Sequence, residues 1–159
     1  MKNNYSLSLI FNFVYILGSE KEVLGGPFIY TIILFIAIIT SFKDNFIAVM
    51  ALSAMAAGDG MADIVGRRFG KNNKWFFNQD KSVAGTMAFI AASSLCSIGL
   101  GFYLQSMGAI PLIELSFAEL AAKFVTVSIV SAIIELFPIV DDNWSVPISA
   151  GILSYLILS

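Results

Sequence analysis

Gly58-Asp59-Gly60-Met61-Ala62-Asp63-Ile64-Val65-Gly66-Arg67-Arg68-Phe69-Gly70-Lys71 gathers acids, bases and glycines inside a chain otherwise suited to lipid. The uncharged run that precedes it, Asn45 to Gly58, is short of the roughly 20 apolar residues that a bilayer core requires. It reaches span length if the helix continues through Asp59 and Asp63 to about Gly66, which brings both acids to the membrane edge. Four residues apart, Asp59 and Asp63 share one helix face. Gly58, Gly60, Gly66 and Gly70 let a backbone or a phosphate approach closely. Such a patch suits a metal-bound polyphosphate. Its plainer alternative is a solvated helix end.

Composition sets the surroundings. Of 159 residues, 58% are hydrophobic and 13% charged, against about 25% charged in a soluble domain. Uncharged stretches mark candidate spans at Ser6–Leu17, Val23–Phe42, Asn45–Gly66, Ser82 to about Leu104, Leu115–Ile134 and Trp144–Leu158, with a turn or re-entrant segment around Gly108 and Pro111. The expected fold is therefore all-α: a polytopic integral membrane protein of about six transmembrane helices, residues 1–159 forming one transmembrane domain and no soluble one. Lys2 is the only early positive charge and no small-residue cleavage site precedes Glu20, so no cleavable signal is expected. A net charge of −2 points to no nucleic acid partner. The single cysteine, Cys96, lies in an apolar run and reads as helix packing. Oligomeric state is not legible.

Orientation follows from the bases. Arg67, Arg68, Lys71, Lys74 and Lys81 all fall between the Asn45 and Ser82 spans, so the positive-inside rule places that loop in the cytoplasm, where nucleotides are. Two further crossings return the chain to the same side at Glu135. A second polar cluster, Glu135, Asp141, Asp142 and Asn143, is thus expected to meet the first. Lys81-Ser82-Val83-Ala84-Gly85-Thr86 opens a span with a base, two hydroxyls and a glycine. Ser82 can cap that helix while its free N–H groups face an anion that Lys81 neutralises. A capped helix with a snorkelling lysine is the plainer reading. Lys74, in the same loop, is expected to be a bystander. Glu119 and Lys123 read as a helix ion pair, Gly99-x-Gly101 as close packing, and Trp75-Phe76-Phe77 as an interfacial aromatic belt in preference to a cover for a nucleotide base.

Taken together, the 58–71 block, the Lys81–Thr86 block, and Glu135 with Asp141-Asp142-Asn143-Trp144-Ser145-Val146-Pro147 resemble the three motif blocks of the phytol kinase, farnesol kinase and dolichol kinase family, in order and in spacing. The resemblance covers Gly58 to about Pro147, with a core of about 45–159. Thr86 stands where the family usually has serine. The resemblance implies a polytopic enzyme that phosphorylates a long isoprenoid alcohol with CTP or sometimes UTP, distantly similar to CDP-diacylglycerol synthases. Members carry further spans upstream with an Arg-Lys-x-x-His type motif. This chain has no histidine, which implies a shortened member or a chain lacking its N-terminal spans.

The expected chemistry is phosphoryl transfer from a cytosolic nucleoside triphosphate to an alcohol entering sideways from the bilayer. Asp59 and Asp63 are expected to hold Mg²⁺. Lys81 with Arg67 and Arg68 is expected to stabilise transferring charge. Gly58, Gly60, Gly66, Gly70, Lys71, Ser82, Gly85 and Thr86 are expected around the nucleotide. Asp142 or Asp141 is expected to assist as base or second ligand, with Glu135 and Asn143 beside it. The membrane is a bacterial inner membrane or that of an organelle. Two alternatives remain from the residues alone: a cytidylyltransferase that forms a CDP-lipid, and a non-enzymatic transport or assembly protein whose acids line a pathway.

Overall fold

The computed structural model describes residues 46–110, 115–137 and 142–158, with Thr31, Ile32, Phe35, Ile36 and Ile39, and gives only the backbone of Asp142, Asn143 and Trp144. All named elements are helical. Ile47–Leu52 (α1) passes without a break into a π-helical segment, Ser53–Asp59, and then into Gly60–Phe69 (α2). The three form one rod of 23 residues. Val83–Ser106 (α3), Phe117–Glu135 (α4) and Asp142–Leu158 (α5) complete the order. The 47–69 rod, α3 and α4 are each long and apolar enough to cross a membrane, whereas α5 is shorter. Among the described residues the expected six spans are therefore three, plus the short helix. The proposed Ser6–Leu17 span lies outside the described residues, as does Val23–Phe42 apart from the five helical positions above.

Helix boundaries obey local chemistry. Ser82 is extended and its hydroxyl accepts from the Gly85 amide at 3.1 Å, which caps α3. The far end of α3 closes on Gly108, whose φ of +70° admits a reversed turn. There the Ala109 amide bonds the Leu104 carbonyl and the Gly108 amide that of Gln105, both at 3.0 Å. α4 opens on a capping box. Its Glu119 carboxylate accepts from the Ser116 amide and hydroxyl while Ser116 accepts from the Glu119 amide. Glu119 thus serves the helix start: its carboxylate is taken up by the Ser116 donors, and Lys123 acts on it only at longer range than an ion-pair contact.

Two apolar clusters hold the bundle. Phe46, Val49, Met50, Leu120, Phe124, Val127 and Leu158 form one, in which the Phe46 and Phe124 rings meet edge to face at 5.2 Å. Ala54, Phe89, Ala132, Val146 and Ala150 form the other. Gly101 lets the Phe124 ring come to 3.0 Å of where a Cβ would stand, whereas Gly99 has open space. Of that expected pair, one packs.

The closest approach is between α2 and α3. A Cβ on Gly85 would lie 3.0 Å from the Ala62 carbonyl oxygen and 3.5 Å from the Gly66 Cα, and one on Gly66 would lie 3.3 Å from the Ser82 hydroxyl. A Cβ on Gly70 would run into the Ser82 side chain and the Gly66 carbonyl. Glycine is required here by sterics, since backbone cannot yield as a flexible side chain can. Gly70→Ala should therefore cost about 1–3 kcal/mol through overpacking, read as a lower melting temperature in detergent. Gly60→Ala, with nothing within 4 Å of the added methyl, should be neutral or stabilising by up to about 1 kcal/mol.

Candidate functional site

Where α2, α3 and the end of α4 converge, a cleft of about 230 Å³ opens among polar groups. Asp59, Ala62, Asp63, Gly66 and Arg67 line it from the first rod; Lys74, Asp80 and Lys81 from the loop; Ser82, Gly85 and Thr86 from the opening of α3; and Glu135 from the last position of α4. Residues as distant in sequence as Asp59 and Glu135 therefore share one wall. The two crossings between them, α3 and α4, bring the chain back to the end it left.

Two ion pairs organise the cleft. Lys81 Nζ donates to Glu135 Oε1 at 2.7 Å, with the Glu135 side chain only 6% exposed. Next to it the Asn78 amide donates to the Leu136 carbonyl at 2.9 Å, so the loop is fastened to the end of α4 at two adjacent positions. The second pair, Arg67 Nε to Asp63 Oδ1 at 2.6 Å, lies on the exposed face of α2. The loop itself is a short hairpin. Lys74 and Ser82 form an antiparallel bridge, and the Trp75 indole N–H donates to the Thr86 hydroxyl at 3.0 Å. Trp75 therefore packs onto the cleft wall instead of standing free in a belt.

The expected nucleotide set divides. Gly66, Arg67, Ser82, Gly85 and Thr86 line the cleft; Gly58, Gly60, Arg68, Gly70 and Lys71 do not. Gly58 is buried, with the Phe89 ring 3.0 Å from where its Cβ would stand, and Arg68 sits over the Phe69 ring at 5.4 Å. Gly66, Gly70 and Gly85 are spent on the helix crossing. The opening of α3 is also occupied. The amide of Val83 bonds the Asn73 carbonyl, that of Gly85 the Ser82 hydroxyl and that of Thr86 the Ser82 carbonyl. An anion in the cleft is thus met mainly by the side chains of Arg67, Lys74 and Lys81. Lys74, expected to be a bystander, is in the wall, and Asp80 joins it there without any signal in the sequence. The hairpin brings both inward, and nothing in their spacing marks it.

Asp59 and Asp63 lie one turn apart on this wall, and Mg²⁺ commonly takes one or two carboxylates with phosphate oxygens and water. Two carboxylates on one wall are the donor type such an ion takes, and Arg67 engages only one of the Asp63 oxygens. Among the described residues no cluster of three or more histidine, cysteine or acidic side chains could hold a metal by itself. Asp142 and Asn143 begin α5, and Asp141 lies outside the described residues.

The same stretch of chain has named relatives. It is 37% identical over 135 residues to a soybean (Glycine max) protein named probable phytol kinase 1, chloroplastic, covering 83% of this chain and 43% of that one. It is 40% identical over 144 residues to soybean probable phytol kinase 3, chloroplastic, covering 89% and 44%, and 35% identical over 143 residues to Arabidopsis thaliana farnesol kinase, chloroplastic, covering 88% and 45%. The chain belongs to the phytol kinase and farnesol kinase family. It spans a little under half the length of these curated relatives. No family model matches it, and no solved structure does.

Removing one partner of a largely buried pair leaves the other charge poorly solvated, whereas an exposed pair contributes about 0–1 kcal/mol. Lys81→Met should thus cost about 3 kcal/mol, and Arg67→Met almost nothing. Adding Glu135→Leu to Lys81→Met should restore most of the lost melting temperature. A double variant no more stable than the single one would show that Glu135 is not held by Lys81.

Proposed function

We propose that this protein transfers the γ-phosphoryl group of a nucleoside triphosphate, CTP in the first instance, to the hydroxyl of a long isoprenoid alcohol of the phytol or farnesol class. One observation carries the reading. In a chain of the phytol and farnesol kinase family, a cleft with three cationic and four acidic side chains stands at the end of helices apolar enough to cross a bilayer. A triphosphate needs cations and a metal; an isoprenoid tail needs lipid. Here the two meet.

In this reading Lys81, Arg67 and Lys74 bind the triphosphate and offset the charge that spreads over the transferring group. Bound Mg²⁺, held by Asp59 and Asp63, would neutralise phosphate charge. The alcohol oxygen forms a bond to the γ-phosphorus as the bond to the β–γ bridging oxygen breaks. The nucleoside diphosphate leaves with that oxygen, and the alcohol proton passes to a cleft carboxylate or through water, since the chain has no histidine. Glu135 holds Lys81 in place. Asp142, at the start of α5, would assist as base or second metal ligand, with Asn143 beside it in sequence. The protein would sit in an organelle or bacterial inner membrane with the cleft facing the compartment that holds nucleotide, a placement that the basic 67–81 segment supports. Cytidylyl transfer would use the same nucleotide but needs a lipid already phosphorylated, and the relatives are named as kinases of alcohols.

The test is transfer of label from γ-labelled CTP to phytol, farnesol or dolichol by the purified full-length protein. Asp59→Asn should abolish transfer while leaving the fold intact. Lys81→Ala and Lys74→Ala should each weaken nucleotide use by about ten- to a hundredfold, the value of a charge-assisted contact, while Lys71→Ala, in the same loop but off the cleft, should not. Label carried from α-labelled CTP onto the corresponding isoprenyl monophosphate, with none carried from γ-labelled CTP onto the alcohol, would replace the kinase reading with cytidylyl transfer.

A further inference from the structure

The turn that closes the cleft on one side carries two phenylalanines that stand out from the bundle. Phe76 is 87% exposed and Phe77 45%. They are not on a slack loop. Phe76 stacks edge to face on Phe77 at 4.9 Å and Phe77 lies 5.5 Å from Trp75. Trp75 is tied to Thr86 on one side, and Asn78 to the Leu136 carbonyl on the other. The hairpin is further closed by the Trp75 amide on the Lys81 carbonyl at 3.2 Å and the Lys74 ammonium on the Asp80 carbonyl. Two large apolar rings are thus held outward on a braced turn, at a solvation cost that no contact among the described residues offsets.

Their neighbours indicate the covering phase. The turn joins the end of α2 to the start of α3, two elements of membrane-crossing rods, so its level is the edge of the bilayer. Phe69 at the end of α2 and Phe137 just past α4 are also exposed, at 61% and 54%, and continue the apolar surface of the spans around that rim. Lys71, exposed beside the turn, and Arg68 on the last turn of α2, both off the cleft, supply positive charge at the same level, complementary to anionic headgroups. Apolar phenylalanine rings flanked by bases at a span end suit the boundary between headgroups and acyl chains, as on the apolar face of interfacial helices.

We propose that Phe76 and Phe77 insert into the headgroup layer of the membrane that α3 and α4 cross, a docking of the hairpin onto anionic lipid that fixes the cleft at the depth of a lipid hydroxyl. The inference stands on the hairpin geometry and does not require the kinase reading. Its consequence for that reading is that an alcohol need not leave the bilayer to reach the cleft.

The test uses the full-length protein with Cys96→Ala, reconstituted in vesicles of phosphatidylcholine and phosphatidylglycerol. A nitroxide is placed by Phe76→Cys, by Phe77→Cys or, for comparison, by Asn72→Cys, and its relaxation by oxygen and by a water-soluble nickel chelate is measured. The ratio of oxygen to nickel effect should be several-fold higher at positions 76 and 77 than at 72. Nickel access at 76 equal to that at 72 would place the rings in water and overturn the proposal. Exclusion of both reagents would place them against protein and overturn it as well. Neither result touches phosphoryl transfer, which is read by the labelled-nucleotide assay.

Discussion

The contact between Lys81 and Glu135 joins positions 54 residues apart, and it constrains everything between them. An ammonium and a nearly buried carboxylate 2.7 Å apart attract one another strongly, and parting them would weaken the solvation of both. For them to meet, α3 and α4 must run antiparallel and with matched lengths. The crossing of α2 on α3 at Gly66 and Gly85 then brings the Asp59–Arg67 face over the same point. Pair and crossing together define the cleft: one closes it from α4, the other sets how near α2 can come.

The π-helical segment contributes to that geometry. A π turn carries more residues per turn than an α turn, so it rotates α2 about the rod axis relative to α1. Before it, Ala48, Val49, Met50 and Ala51 are all buried. After it, α2 has no buried residue and presents Asp63 and Arg67 to the cleft. The segment ends on Asp59 itself. The change from a rod embedded in the bundle to one that lines a polar opening occurs within those seven residues, consistent with the frequent placement of π bulges at functional sites.

The spans from Asn45 onward were legible because length and lack of charge leave few alternatives, and the convergence of Glu135 with the Lys81 block came from counting two crossings. The roles of individual residues were less legible. Glycine serves close helix packing and close phosphate approach equally well, so sequence could not distinguish Gly66, Gly70 and Gly85 as crossing residues from a phosphate cradle. Glu119 has both Lys123 and Ser116 within reach along the helix, and only the cap geometry shows which it serves. Lys74 and Asp80 enter the wall through a hairpin whose pairing leaves no periodic trace. The π segment has no compositional mark at all. Asp141, the expected Ser6–Leu17 span and most of the expected Val23–Phe42 span lie outside the described residues.

Phosphoryl transfer at this cleft requires that the three blocks form one triphosphate site. The most direct measurement is a cryo-electron microscopy structure of the full-length protein in lipid nanodiscs with Mg²⁺ and a non-hydrolysable CTP analogue. Triphosphate density is predicted between Asp59, Lys74 and Lys81, with Glu135 behind Lys81 and the metal against Asp59 and Asp63. Nucleotide density on another face, with the Lys81–Glu135 cleft unengaged, would contradict a single shared site.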